Sequence, residues 1–140
     1  MRGHNHAGPG FVLLLLLCAA ASAGAQQQLS DAEGKLLVRI SRDTLGQYLN
    51  HATRPSLNNY RVTEPLREPR GVFVTLKERR TRALRGCIGY PLGHKALAEA
   101  VIDCTVYAAT RDLRFTPLRA GQDGEVTIEV SVLSPPRRIE

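Results

Sequence analysis

The residue types best able to do chemistry fall in one short stretch, Leu84-Arg85-Gly86-Cys87-Ile88-Gly89. A thiol stands between two glycines, with a guanidinium two positions before it. A cation that close favours the thiolate, which is the nucleophilic form. Glycines on either side let a ligand or another backbone approach closely. In an alternating strand Arg85 and Cys87 share a face. One reading is a reactive thiol, or a thiol marking a small-ligand cleft, with Cys87 as nucleophile or redox group and Arg85 as anion anchor. The other is a small buried cysteine in a strand that bends at its glycines, the commoner fate of a free cysteine. A nucleophilic cysteine usually works with a base in hydrogen-bond reach. His94 is near in sequence and His51 could approach in space, but neither spacing is diagnostic. Both read more simply as helix-end surface residues.

A second cluster is Arg111-Asp112-Leu113-Arg114-Phe115. Asp112 can accept from an arginine or from loop backbone, and Arg114 can grip a carboxylate or phosphate with two parallel bonds. The same residues also spell a helix exit held by an Asp–Arg pair, with Phe115 as an apolar anchor. No C-x-x-C or H-x-x-x-H spacing supports a metal site. Gly86-Cys87-Ile88-Gly89 lacks the Lys-Ser/Thr of a phosphate loop, and no cofactor is implied. Between Arg67 and Arg85 basic residues crowd together, with Phe73 as the aromatic among them. That could be a phosphate-contacting patch. A solvated hairpin tip explains it as well, no nucleic-acid module is spelled out, and the pattern argues against a nucleic acid as partner.

The chain has 140 residues, 19 Lys+Arg against 13 Asp+Glu, a formal charge of +6 and 43% apolar types. Those values suit one ordinary globular domain. With 3 Cys and no Trp it is no disulfide-rich miniprotein. The first residues hold an apolar run from Phe11 to Ala21, followed by the A-x-A sites Ala21-Ser22-Ala23 and Ala23-Gly24-Ala25. That order matches a signal peptide over residues 1–23, although Arg2 is its only charged side chain before the run. Residues 24–28 would be a polar spacer. A genuine leader implies export to the periplasm or the extracellular space; a misassigned start would leave the protein cytoplasmic. Beyond the leader no apolar run approaches the ~18 residues of a membrane span. Two thiols then remain, Cys87 and Cys104, and the sequence leaves open whether they pair.

These residues must be positioned by a few elements. Ser30-Asp31-Ala32-Glu33 is a capping box, and Leu36, Leu37, Ile40, Thr44, Leu45 and Tyr48 continue at helical spacing, predicting a helix over about 31–51. Pro55, Pro65 and Pro69 make residues 52–70 irregular. Gly71 to Leu76 reads as a strand, Lys77 to Arg82 as a basic turn and Ala83 to Ile88 as the returning strand. Gly89 to Gly93 should break regular structure. A helix is expected over Lys95 to Arg111 and a half-buried strand over Glu125 to Leu133, with Val126, Ile128, Val130 and Val132 on one side. The order helix, hairpin, helix, strand implies an α+β fold in which helices cover one face of a mainly antiparallel sheet.

Four segments in this order, Gly71 to Leu76, Leu84 to Gly89, Ala108 to Phe115 and Ile128 to Pro136, resemble the AMMECR domain family, whose bacterial and archaeal members are called AmmeMemoRadiSam system protein A. The likeness runs from about Leu29 to the last residue, so an AMMECR domain is expected over 29–140. It implies a fold of two subdomains, with Arg85 to Gly89 lining the cleft between them. It implies a Memo-like protein and a radical SAM protein as partners and an unidentified small-molecule ligand. Arg85, Gly86, Cys87, Ile88 and Gly89 match the family's signature. Asp112, Arg114 and Phe115 match its second motif, where Pro is usual at the position of Leu113. Ser131, Ser134 and Pro135 match its third. Family members normally continue well past the Ser-Pro-Pro motif, so the resemblance implies an incomplete C-terminal part. The family name supplies no reaction, and the rival expectations are an interaction module without catalysis or a basic nucleic-acid-binding module.

Overall fold

The first helix begins as its capping box dictates. Ser30 accepts from the Glu33 N–H at 3.2 Å, and the Glu33 carboxylate accepts from the Ser30 N–H at 2.8 Å. From there α1 runs Asp31–His51 and ends at Ala52 in the left-handed conformation. The computed structural model describes residues 28–135 and Ile139. The signal peptide expected over 1–23 lies outside the described residues, as do all of the spacer except Gln28 and the motif residue Pro136. Among the described residues no helix is long and apolar enough to cross a membrane.

Residues 52–70 hold a short 3-10 turn at Leu57–Asn59 and one helical turn, α2, at Glu64–Arg67. Strand β1 is Val72–Glu78 and β2 is Leu84–Tyr90. Helix α3 is Leu97–Thr110 and β3 is Val126–Val132. Two expectations need correction. Lys77 and Glu78 belong to β1 rather than to the turn, because both pair with β3. Gly89 and Tyr90 continue β2 rather than break it, because β1 offers Phe73 and Val72 as partners. Glycine has poor strand propensity, but a ladder partner overrides it.

The sheet is antiparallel in the order β2-β1-β3. Side chains alternate across it. Val72, Val74 and Leu76 face both long helices and are fully buried, in a core with Leu37, Ile40, Leu45, Leu97, Val101 and Cys104. Gly86, Ile88 and Tyr90 sit opposite these β1 residues and share that face. Phe73, Thr75 and Lys77, with Cys87, Gly89, Glu129 and Ser131 opposite them, occupy the other face, half-buried to exposed. Between the helices Ser41 and Thr105 exchange a buried hydroxyl bond of 2.7 Å. Each also finds helix backbone or the other hydroxyl as partner, so the polar pair is tolerated in an apolar interface.

Candidate functional site

Strand β2 is irregular where the chemistry was expected. Leu76 pairs with Gly86 and Lys77 with Leu84, which leaves Arg85 as the extra residue of a bulge. A bulge interrupts strict alternation and bends the strand. The expectation that Arg85 and Cys87 share a face by simple alternation therefore needs correction: Leu84 and Cys87 hold the open-face register, and Arg85 stands between two registers. Arg85 is half-buried, and among the described residues its side chain makes no hydrogen bond or ion pair.

Cys87 lies on the open face. Its thiol is 3.3 Å from the Thr75 hydroxyl across the ladder, with either atom able to donate. Its N–H points away from β1 and donates to Asp112 Oδ2 at 2.9 Å. Asp112 also accepts from Arg114 Nε at 3.0 Å and Nη2 at 2.8 Å, and from the Arg114 N–H at 3.2 Å. The carboxylate is 7% exposed, so these donors replace its water. The Arg114 bonds, together with the Cys87 N–H, hold its carboxyl well below the ordinary 3.8 despite burial. Arg114 Nη2 reaches the Cys87 carbonyl at 3.4 Å, and its guanidinium lies 5.4 Å from the Phe115 ring centre. Asp112 and Arg114 thus clamp the exit of α3 onto the outer edge of β2.

The glycines serve packing. A Cβ on Gly86 would meet the Ala108 carbonyl oxygen of α3 at 2.1 Å, and one on Gly89 would meet the Phe73 ring at 2.4 Å. Gly86 faces the helices, and Ile88 joins it there against the core. The structure brings Cys87, Asp112 and Arg114 together, with Arg85 beside them in sequence and bulged. It puts Ile88 and Gly86 on the opposite side. His51 is exposed at the end of α1, and His94 stacks edge-on against Tyr90 with ring centres 4.2 Å apart. Among the described residues the Cys87 thiol is bonded to Thr75 and to no histidine. Cys87 and Cys104 are both free thiols; burial pushes Cys104 up to about 11. Of the third motif, Ser131 is exposed on the open face. Ser134 and Pro135 line a pocket of about 90 Å³ with Arg70, Gly71 and Gly93.

Two features had no signal in the sequence. Thr75 looks like any β-branched strand residue until its partner is known. Asp103 is the other. It is 8% exposed in α3 and bonded to Arg54 at 2.5 Å and to Lys95. Burial would raise its carboxyl, but the Lys95 and Arg54 bonds outweigh that and hold it low. A pocket of about 380 Å³ opens beside it, walled by Pro55, Leu57 and Ile102. Among the described residues no group of acidic, His and Cys side chains is arranged to hold a metal ion.

Three antiparallel strands backed on one side by two long helices, with a clamped thiol strand at the sheet edge, define an α+β domain with one sheet face that no element covers among the described residues. The model of the AMMECR1 family matches residues 38–140, and the chain belongs to that family. A protein of Methanopyrus kandleri is 43% identical over 115 residues, covering 81% of this chain and 55% of that protein. One from Thermococcus kodakarensis is 41% identical over 123 residues, covering 81% and 56%. The crystal structure of an uncharacterized protein from Pyrococcus horikoshii superposes with a TM-score of 0.72 at 39% identity, over 80% of this chain and 56% of that one. The chain spans about half the length of the relatives it matches.

Proposed function

We propose that this domain binds a small anionic ligand on the open sheet face beside Cys87, and that it does so together with a Memo-like protein and a radical SAM protein. The observation that carries the reading is that the bulge lifts Arg85 out of the ladder two positions before the half-buried Cys87, and its half-buried side chain makes no ion pair among the described residues. Arg114 is already neutralised by Asp112, and Lys77 by Glu129 at 2.8 Å. Arg85 is therefore, among the described residues, a cation without an ion pair close to Cys87 in the strand, and a bidentate grip suits a carboxylate or phosphate.

The test uses the two thiols of the described residues, Cys87 and Cys104. Iodoacetamide should alkylate Cys87 in the folded chain and spare Cys104, which is fully buried. Inorganic phosphate should slow the labelling of Cys87, and Arg85→Ala should remove that protection. Equal rates with and without phosphate in the unaltered chain would overturn the reading.

A docking surface without catalysis is the second reading. One observation favours it: a Cβ at Gly86 or at Gly89 would strike a neighbour, so packing alone accounts for both glycines. Cys87→Ser separates the two. It should abolish any turnover if the thiol reacts, and leave capture of a Memo-like or radical SAM protein intact if the face only docks.

A further inference from the structure

The two edges of the sheet are finished differently. The β2 edge is covered at its centre: the Cys87 N–H is taken by Asp112, its carbonyl by Arg114, Gly86 is pressed against α3, and Arg85 bulges. Bulges and covering elements are the usual guards of an exposed edge. Among the described residues the β3 edge has neither along most of its length.

The register identifies the backbone groups that are left over. The Leu133 N–H donates to the Gly71 carbonyl and the Arg79 N–H to the Glu125 carbonyl, each at 2.8 Å, at the two ends of the β1–β3 ladder. Hydrogen-bonded pairs recur every second residue in an antiparallel ladder. Between those ends, then, Thr127, Glu129 and Ser131 bond to β1, and Val126, Ile128, Val130 and Val132 turn their N–H and C=O outward. Arg42 caps the Val126 carbonyl at 2.8 Å and Arg79 approaches it at 3.3 Å. Past that point the N–H and C=O of Ile128, Val130 and Val132 have no partner among the described residues. No proline lies in the strand, its pairing with β1 runs without a bulge, and its one internal charge, Glu129, is paired with Lys77 on the open face.

We propose that this edge is an interface for a second copy of the chain, joined antiparallel through β3 about a two-fold axis at Val130. That axis sets Val130 against its own counterpart, Ile128 against Val132 of the second copy, and Glu129 against Ser131 of the second copy. The match favours a second copy over a foreign strand. Every outward backbone pair finds its complement, the opposed side chains on the helix face are β-branched pairs, and no like charges stand directly opposite. Such an interface is isologous and closes at two copies rather than growing into a fibre. Both copies keep their helices on one side, so the product is one six-stranded sheet with both Cys87 surfaces on the same uncovered face.

The experiment is light-scattering mass across a concentration series of the full chain, with amide hydrogen exchange read residue by residue. The expected mass rises to twice the 15.4 kDa of one chain. The amides of Ile128, Val130 and Val132 gain protection with the dimer, whereas those of Thr127, Glu129 and Ser131 are protected throughout by β1. Val130→Pro removes the central outward N–H without touching a β1 bond, a place where an edge strand tolerates proline. It should weaken the dimer at least about tenfold while keeping cooperative thermal unfolding. If that variant fails to fold, exchange in the unaltered chain still decides. A monomer at every concentration overturns the proposal, and so does a dimer whose Ile128, Val130 and Val132 amides exchange as freely as in the monomer.

Discussion

On the helix-covered face of the sheet, Val72, Val74 and Leu76 have no exposure at all, and Gly86 leaves less room than a methyl group needs. On the other face of the same strands, Thr75, Lys77 and Cys87 stay half-buried and Glu129 and Ser131 are exposed. One side of each strand therefore answers to close packing and the other to solvent, ligand or partner. The motif from Arg85 to Gly89 straddles this division: Gly86 and Ile88 serve the core, and Cys87 serves the open face. Reading it as a single ligand-binding unit merges two jobs that alternate residue by residue.

The largest effect that would sharpen this division is on the covered face. Gly86→Ala drives a Cβ into the Ala108 carbonyl oxygen, a backbone atom that can retreat only if α3 shifts. Overpacking of this kind typically costs about 1–3 kcal/mol, and a rigid backbone contact puts it at about 3. Urea unfolding should show the midpoint falling with an unchanged slope. A loss below about 0.5 kcal/mol, the scale of a neutral surface change, would mean that α3 does not hold β2 as described.

Next comes the clamp at the sheet edge. Asp112→Ala strips partners from the Cys87 N–H and from Arg114. The exposed Arg114 can be rehydrated, so the expected loss is about 2 kcal/mol, within the range for hydrogen bonds to a charged group. The pH dependence has a definite sign. Because the folded carboxyl lies below its ordinary 3.8, the unfolded chain binds the proton more readily over that interval. The stabilisation is complete above about pH 4 and is lost as pH falls through the folded value. Thermal melts of the unaltered chain should drop steeply on acidification below pH 4. Asp112→Ala should be less stable at neutral pH and flatter in acid. An acid limb equally steep in the variant would assign it to other carboxylates.

Much of the covered face was legible in the sequence because packing leaves periodic traces. The Ser30–Glu33 box and the spacing of Leu37, Ile40 and Leu45 located α1 to the residue, and the alternation from Val126 to Val132 located β3. The open face leaves no such trace. The bulge at Arg85 depends on the register between β1 and β2, a long-range property that no local pattern encodes. Gly89 reads as a breaker until the Phe73 ring is seen lying over it. Asp112 and Arg114 were legible as a pair because they are close in sequence. Asp103 with Arg54 and Lys95 was not, since Arg54 comes from a loop 49 residues away.

The smallest effects test the division most cleanly, because one substitution can be made on both faces. Cys104 is fully buried in α3, so Cys104→Ser puts a hydroxyl in a largely apolar core where the Tyr90 backbone is the polar group in reach, at a cost of about 1–2 kcal/mol. Cys87→Ser exchanges one hydrogen-bonding atom for another next to Thr75, in a setting that water already reaches, and should change stability by less than about 0.5 kcal/mol. Comparison of the two variants by urea unfolding cancels the intrinsic difference between the side chains and leaves their surroundings. If Cys87→Ser destabilises the chain as much as Cys104→Ser does, the thiol belongs to the core, the face around it is not open, and a ligand placed there loses its site.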